Sequence, residues 1–169
     1  MESQLVRDTL LALSGELEDQ IGGPSVDPNP DVRRRSLYLK HSRDQQDKFL
    51  SMFDDADILQ CYRRSESIVP QQALALSNSK LAIELSASIA SSVSNRTSDS
   101  DSKSFVRESF FTLIGRACTN EEMEACLRYL DQMRALPGLN SVSLPEREAR
   151  IRARLVQTLI NHNDFISIR

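Results

Sequence analysis

Leu5, Val6, Leu10, Leu13, Leu17 and Ile21 recur every three to four residues, the spacing that lays one apolar stripe along a helix. A helix over 2–20 follows. Gly22-Gly23-Pro24 ends it, because glycine takes the left-handed turn and proline blocks continuation. Residues 24–31, with Pro24, Pro28 and Pro30, read as a stiff loop. Arg33-Arg34-Arg35 then leads into 36–40, whose alternation predicts a short strand. Over 44–53 a short helix places Phe49, Leu50, Met52 and Phe53 on the core.

The stretch 61–78 passes from a polar, basic loop into the most apolar helix of the chain. Pro70 pushes Val69 towards an extended backbone and suits the first helical turn, where its missing N–H costs nothing. Ala73, Leu74, Leu76, Leu81, Ile83, Leu85 and Ile89 then describe one helix to about Val93, apolar on more than one side and so central. Residues 92–104 are almost wholly Ser, Asp, Asn, Arg, Thr and Lys, a composition that predicts a mobile surface loop. Phe105, Val106, Phe110, Phe111, Leu113 and Ile114 mark the next helix. Thr119-Asn120-Glu121-Glu122 is a capping box opening a helix to about Ala135. A last helix spans 145–162 with Ile151, Leu155, Leu159 and Ile160 inward. Residues 165–168 read as a second short strand facing 36–40.

These elements predict a mainly α-helical single domain over residues 1–169, of about six helices with at most one small two-stranded β element. Composition agrees. The chain has 169 residues, 40% hydrophobic and 27% charged, with 5% aromatics and no Trp, so its core rests on Leu, Ile, Val and Ala. A net charge of −3 exerts no global pull on nucleic acid, and no apolar run is long enough to span a bilayer. No signal peptide is visible, and the chain reads as a piece of something longer.

Candidate chemistry is sparse. Cys61, Cys118 and Cys126 form no paired motif and read as buried, unpaired thiols, with only His41 and His162 as possible co-ligands for a metal. Asp54, Asp55 and Asp57 lack the glycine and later glutamate of a calcium loop. No nucleophile–base set is legible, so no catalytic, cofactor or metal residue is assigned. Asn161, Asn163 and Asp164 turn the chain after the last helix, with His162 near its end. What remains is basic: Arg63 and Arg64, with Arg35 and Arg116, are candidates for anion binding, since guanidinium groups suit sulfate, phosphate or carboxylate. The competing use is internal, tying irregular loops to Asp54, Asp55, Asp57 or Glu66.

Several motifs come in a familiar order. The segments 5–15 (Leu-Val-Arg-Asp onward) and 22–26 (Gly-Gly-Pro-Ser-Val) are followed by Arg35-Ser36-Leu37-Tyr38, Phe53-Asp54, and Cys61 with Arg63-Arg64. Pro70-Gln71-Gln72-Ala73-Leu74, Ile114-Gly115-Arg116, Thr119–Glu122 and the ending from Leu159 to Phe165 complete the set. Together they resemble the C-terminal part of planctomycete-specific domain one, a domain of unknown function. His162 stands where such domains often have serine. The resemblance implies a non-catalytic docking or scaffold module of a larger exported protein. Haem would be bound in that protein's cytochrome c modules and no cofactor in this piece, with the other domains of the same chain as partners. An alternative follows from the arginines, a binding module for acidic or sulfated polysaccharide.

Overall fold

A computed structural model describes residues 2–42, 47, 49–53, 70–97, 101–137 and 142–166. Seven α-helices occur among them: α1 (Ser3–Ser14), α2 (Pro70–Asn78), α3 (Lys80–Arg96), α4 (Ser102–Ile114), α5 (Asn120–Arg134), α6 (Leu144–Ile160) and the single turn α7 (Asn163–Ile166). The chain is mainly helical, as its periodicity predicts, and no strand is present among the described residues. α3 is the hub. It packs most extensively along α6 and also touches α1, α2 and α4, while α5 closes against α4 and α6.

One apolar cluster joins these helices. Leu85, Ile89 and Val93 of α3, Phe105 and Phe110 of α4, and Ile151, Leu155 and Ile160 of α6 are its fully or almost fully buried members. Burial at steps of three and four is what an amphipathic helix laid on a common core requires. Val6, Leu10 and Leu11 of α1 bring the N-terminal helix into the same cluster.

Several boundaries differ from the periodic reading. α1 stops at Ser14, not Gln20, because Gly15 adopts φ +75° and its N–H turns back to the Ala12 carbonyl at 3.1 Å. The apolar spacing that continues through Leu17 to Ile21 is therefore not helical, and Ile21 is 92% exposed. The expected single helix from Pro70 is interrupted at Ser79, whose hydroxyl accepts from the Ala82 N–H and opens α3 as an N-cap. That break resets the helical phase, leaving Leu74 and Ile83 exposed although both lie on the sequence's apolar pattern.

The Ser-rich loop expected over 92–104 is shorter. α3 continues through Arg96 because Val93, four residues after Ile89, is fully buried, so the serines around it need only face water or neighbours. Asp101 caps α4 by accepting from the Lys103 N–H, and 98–100 lie outside the described residues. The expected strand pair is absent among the described residues, and 167–168 lie outside them. Residues Ser36–Tyr38 form a 3-10 turn, Leu39 makes an isolated bridge to Val26, and Phe165 is buried in α7. Of the helix expected over 44–53, the described part is a 3-10 turn at Leu50–Met52, with Phe49, Leu50 and Phe53 buried as anticipated.

Candidate functional site

The first constellation grows from α1. Arg7 sits at the position shared by Ser3, Leu10 and Leu11, so the helix carries a guanidinium into the apolar core, where it is 2% exposed. A charge there needs compensation on every side. Arg7 Nη1 donates to the Arg34 carbonyl at 2.8 Å and to Ser36 Oγ at 3.2 Å, and Nη2 donates to the Val32 carbonyl at 2.6 Å. Burial nonetheless pulls its pKa down, against the opposing pull of Asp8. Asp8, next in the helix, accepts from the Ser36 N–H and hydroxyl at 2.8 and 2.6 Å.

Arg34 repeats the device one layer out. Its guanidinium donates to the carbonyls of Pro24 and Gly22 and lies 4.2 Å over the Tyr38 ring, while the Tyr38 hydroxyl accepts from the Gly22 N–H. Gly23, at φ +91°, turns the loop so that both carbonyls face that arginine. Arg33 links the other side, donating to Glu16 at 2.7 Å and to the Pro30 carbonyl at 2.6 Å, and Ser88 of α3 donates to the same carboxylate. Three consecutive motifs of the sequence, Arg7-Asp8, Gly22-Gly23-Pro24 and Arg34-Arg35-Ser36, thus converge. The irregular segment 16–40 obtains from guanidinium groups the hydrogen bonds that a strand or helix would otherwise supply.

The second constellation lies where α5 and α7 meet. Arg116 donates to both oxygens of Glu122, at 2.9 and 2.7 Å, and to Asp164 Oδ2 at 2.9 Å. Glu122 closes the expected capping box, accepting from the Thr119 N–H at 2.7 Å while Thr119 accepts from the Glu122 N–H. Hydrogen bonding by Arg116 holds the Glu122 carboxyl at about 2, well below its ordinary 4.5, and the two carboxylates raise the Arg116 pKa in turn. His162 lies 3.7 Å from Glu122 and edge-on to Phe110, its Nδ1 accepting from the Asp164 N–H. It therefore caps the start of α7, not the end of α6. Asn161 makes the turn between them at φ −84°, with no left-handed residue needed.

Because the folded Glu122 carboxyl takes up its proton less readily than the unfolded one, protonation favours unfolding as pH falls from 4.5 towards 2. Its contribution is complete above that window. Urea denaturation of the wild type and Glu122→Gln should show a stability gap that is constant near neutrality and narrows as pH drops towards about 2. A gap independent of pH would mean that the carboxylate charge is immaterial.

The four arginines singled out from the sequence are not gathered at one described place. Arg116 is engaged by two carboxylates, Arg35 is an exposed side chain 3.8 Å from Asp8, and Arg63 and Arg64 lie outside the described residues. So do Asp54, Asp55, Asp57, Glu66 and Cys61. Cys118 and Cys126 are free thiols, and burial pushes Cys126 up to about 11. Among the described residues no group of three or more His, Cys, Asp or Glu side chains converges to hold a metal, and no helix is long and apolar enough to cross a membrane. From the sequence Arg7 and Arg152 were not singled out, and Arg34 stood only in the basic run 33–35, read with Arg63 and Arg64 for anion binding. The available signal was an arginine at a buried helical step, as with Arg152 between Ile151 and Leu155.

Fold and site define an all-α domain in which arginines brace an irregular N-terminal segment against the helices. The chain belongs to the PSD1 family, described as protein of unknown function (DUF1553), whose model matches residues 1–130. That span takes in α1 to α4 and most of α5, and with them the whole Arg7–Arg34 network. No curated protein and no solved structure matches the chain.

Proposed function

We propose that this chain is a non-catalytic docking module of a larger exported protein of planctomycete type, one that carries haem in its cytochrome c modules. The resemblance of the motifs supports the exported, haem-containing parent. The observation that carries the docking role is the braced segment itself. Guanidinium groups hold 16–40 in place while Ile21 and Leu37 stand 92% and 78% exposed on it. A segment without regular structure, ordered in advance and displaying large apolar side chains, lowers the ordering cost of association. Arg7, Arg33 and Arg34 work inward, as braces.

The remainder of the parent protein, produced as a separate polypeptide, should form a stoichiometric complex with this chain in size-exclusion chromatography with light scattering. Ile21→Ser with Leu37→Ser should weaken that complex by about tenfold or more, since each buried aliphatic side chain is worth about 1.5–3 kcal/mol. Both substituted positions are solvent-facing, so the variant should melt with the wild type. Absence of a complex, or one indifferent to both substitutions, overturns the reading. Sulfated oligosaccharides free of uronate should stabilise the chain no more than sodium chloride at matched ionic strength. Saturable stabilisation lost on Arg63→Ala, Arg64→Ala and Arg35→Ala, in a chain that still folds, would favour the polysaccharide-binding alternative instead.

A further inference from the structure

We propose that the open groove between α2, α5 and α6 binds a small hydroxylated carboxylate, a hexuronate in chemical class. The groove has a volume of about 330 Å³ and is lined by Ser77, Tyr129, Arg154, Gln157, Thr158 and Asn161. Its size lies at the lower end of small-molecule sites, enough for one sugar-sized ligand. Its lining is one cation, one aromatic ring, two amides and two hydroxyls, with no acidic side chain. That set complements a ligand with one negative group and several hydroxyls.

Arg154 is the selective element. Several other arginines of the fold, Arg33, Arg116, Arg134 and Arg150 among them, are paired with carboxylates, and Arg34 is held by main-chain carbonyls. Arg154 makes no such pair among the described residues and is held by the amide of Gln157, its Nη1 donating to Oε1 at 2.8 Å. Gln157 is itself anchored, its Nε2 donating to the Ser77 carbonyl at 2.6 Å. The guanidinium is therefore positioned by a neutral group and keeps its remaining donors for an incoming carboxylate, which it suits in bidentate fashion. The neutral donors and acceptors beside it are incompletely used. Asn161 Oδ1 is buried with no hydrogen-bond partner, and no hydrogen bond among the described residues occupies the Tyr129 hydroxyl. The Tyr129 ring adds the apolar surface on which the C–H face of a sugar rests.

The site is separate from the braced segment, and its test is independent of complex formation. Glucuronate titrated into the isotopically labelled chain should give saturable amide shifts at Ser77, Tyr129, Gln157, Thr158 and Asn161. Glucose and acetate, each lacking half of the recognised chemistry, should give weaker shifts. Arg154→Gln should weaken glucuronate binding by about tenfold or more, the value of a charge-assisted hydrogen bond. Arg154 is solvent-facing, so the variant should keep the wild-type amide spectrum elsewhere. Tyr129→Phe, which removes one hydroxyl, tests the polyol contact by a smaller loss. An oligouronate run beside the monosaccharide separates a free sugar acid from a chain end: tighter binding of the oligomer assigns the groove to polymer, equal binding to the monomer. Absence of saturable shifts with either ligand, or equal binding by Arg154→Gln, overturns the proposal.

Discussion

Replacing Arg7 by alanine should destabilise the protein by about 3–5 kcal/mol, the cost of removing one partner from a buried charged network. The substitution strands the Val32 and Arg34 carbonyls, leaves Ser36 Oγ with its bond to Asp8 alone, and leaves Asp8 beside an emptied pocket. Each stranded group adds about 1–3 kcal/mol of desolvation in so closed a place. Two further variants separate charge from shape. Arg7→Met keeps most of the apolar stem and should recover only the packing part of the loss. Arg7→Lys keeps the charge but not the planar fork that reaches two carbonyls and a hydroxyl together, and should fall between. Urea denaturation gives the energies, and amide exchange across 18–40 should speed up first because that segment's bonds are the ones removed. A loss below about 1 kcal/mol would mean that water replaces the guanidinium and that the brace is incidental.

Phe105→Ala should cost a similar amount, about 3–5 kcal/mol, as for other fully enclosed aromatic residues. Phe105 is fully buried on α4, and the Arg152 guanidinium of α6 sits 4.8 Å above its ring. Arg152 is also fixed by Ser94 of α3 at 2.9 Å and by Glu148 at 3.4 Å, so three helices meet around one ring. Glu148 is drawn below the usual carboxylate range, first by its bonds from Arg134. Phe105→Leu retains most of the buried area and loses the ring's negative face. A double-mutant cycle of Phe105→Leu with Arg152→Met isolates the cation–ring term, expected near 1 kcal/mol. Additive losses in that cycle would show that Arg152 gains nothing from the ring.

Both experiments probe arginines that the sequence displays but does not explain. Arg7 stands in the same motif as Asp8, yet nothing local shows that its partners are carbonyls 25 and 27 residues away. The glycines at 22 and 23 were legible as a turn and illegible as a cradle for Arg34, because a carbonyl cradle is made by main-chain direction, which carries no residue type. Cys126 was readable as a buried thiol because it lies on α5's inward stripe with Leu130. The exposed Ile21 was misread for the converse reason. Its spacing continues α1's pattern, but a single left-handed glycine at 15 ends the geometry on which spacing has meaning.

The sequence by itself determined the helical class, the inward stripes of α4, α5 and α6, and the capping box at Thr119, since each follows from interactions within four residues along the chain. Only the tertiary structure decided which arginines are braces, and that Arg154 has no carboxylate beside it among the described residues. It also turned the 36–40 run into a 3-10 turn bound to α1 and laid Ser77 beside Gln157, 80 residues apart. The physical reason is common to all of these. A guanidinium is served equally well by a carboxylate, a carbonyl or a ligand, and the choice among them is made by whichever acceptor the packing of distant helices brings within hydrogen-bond reach.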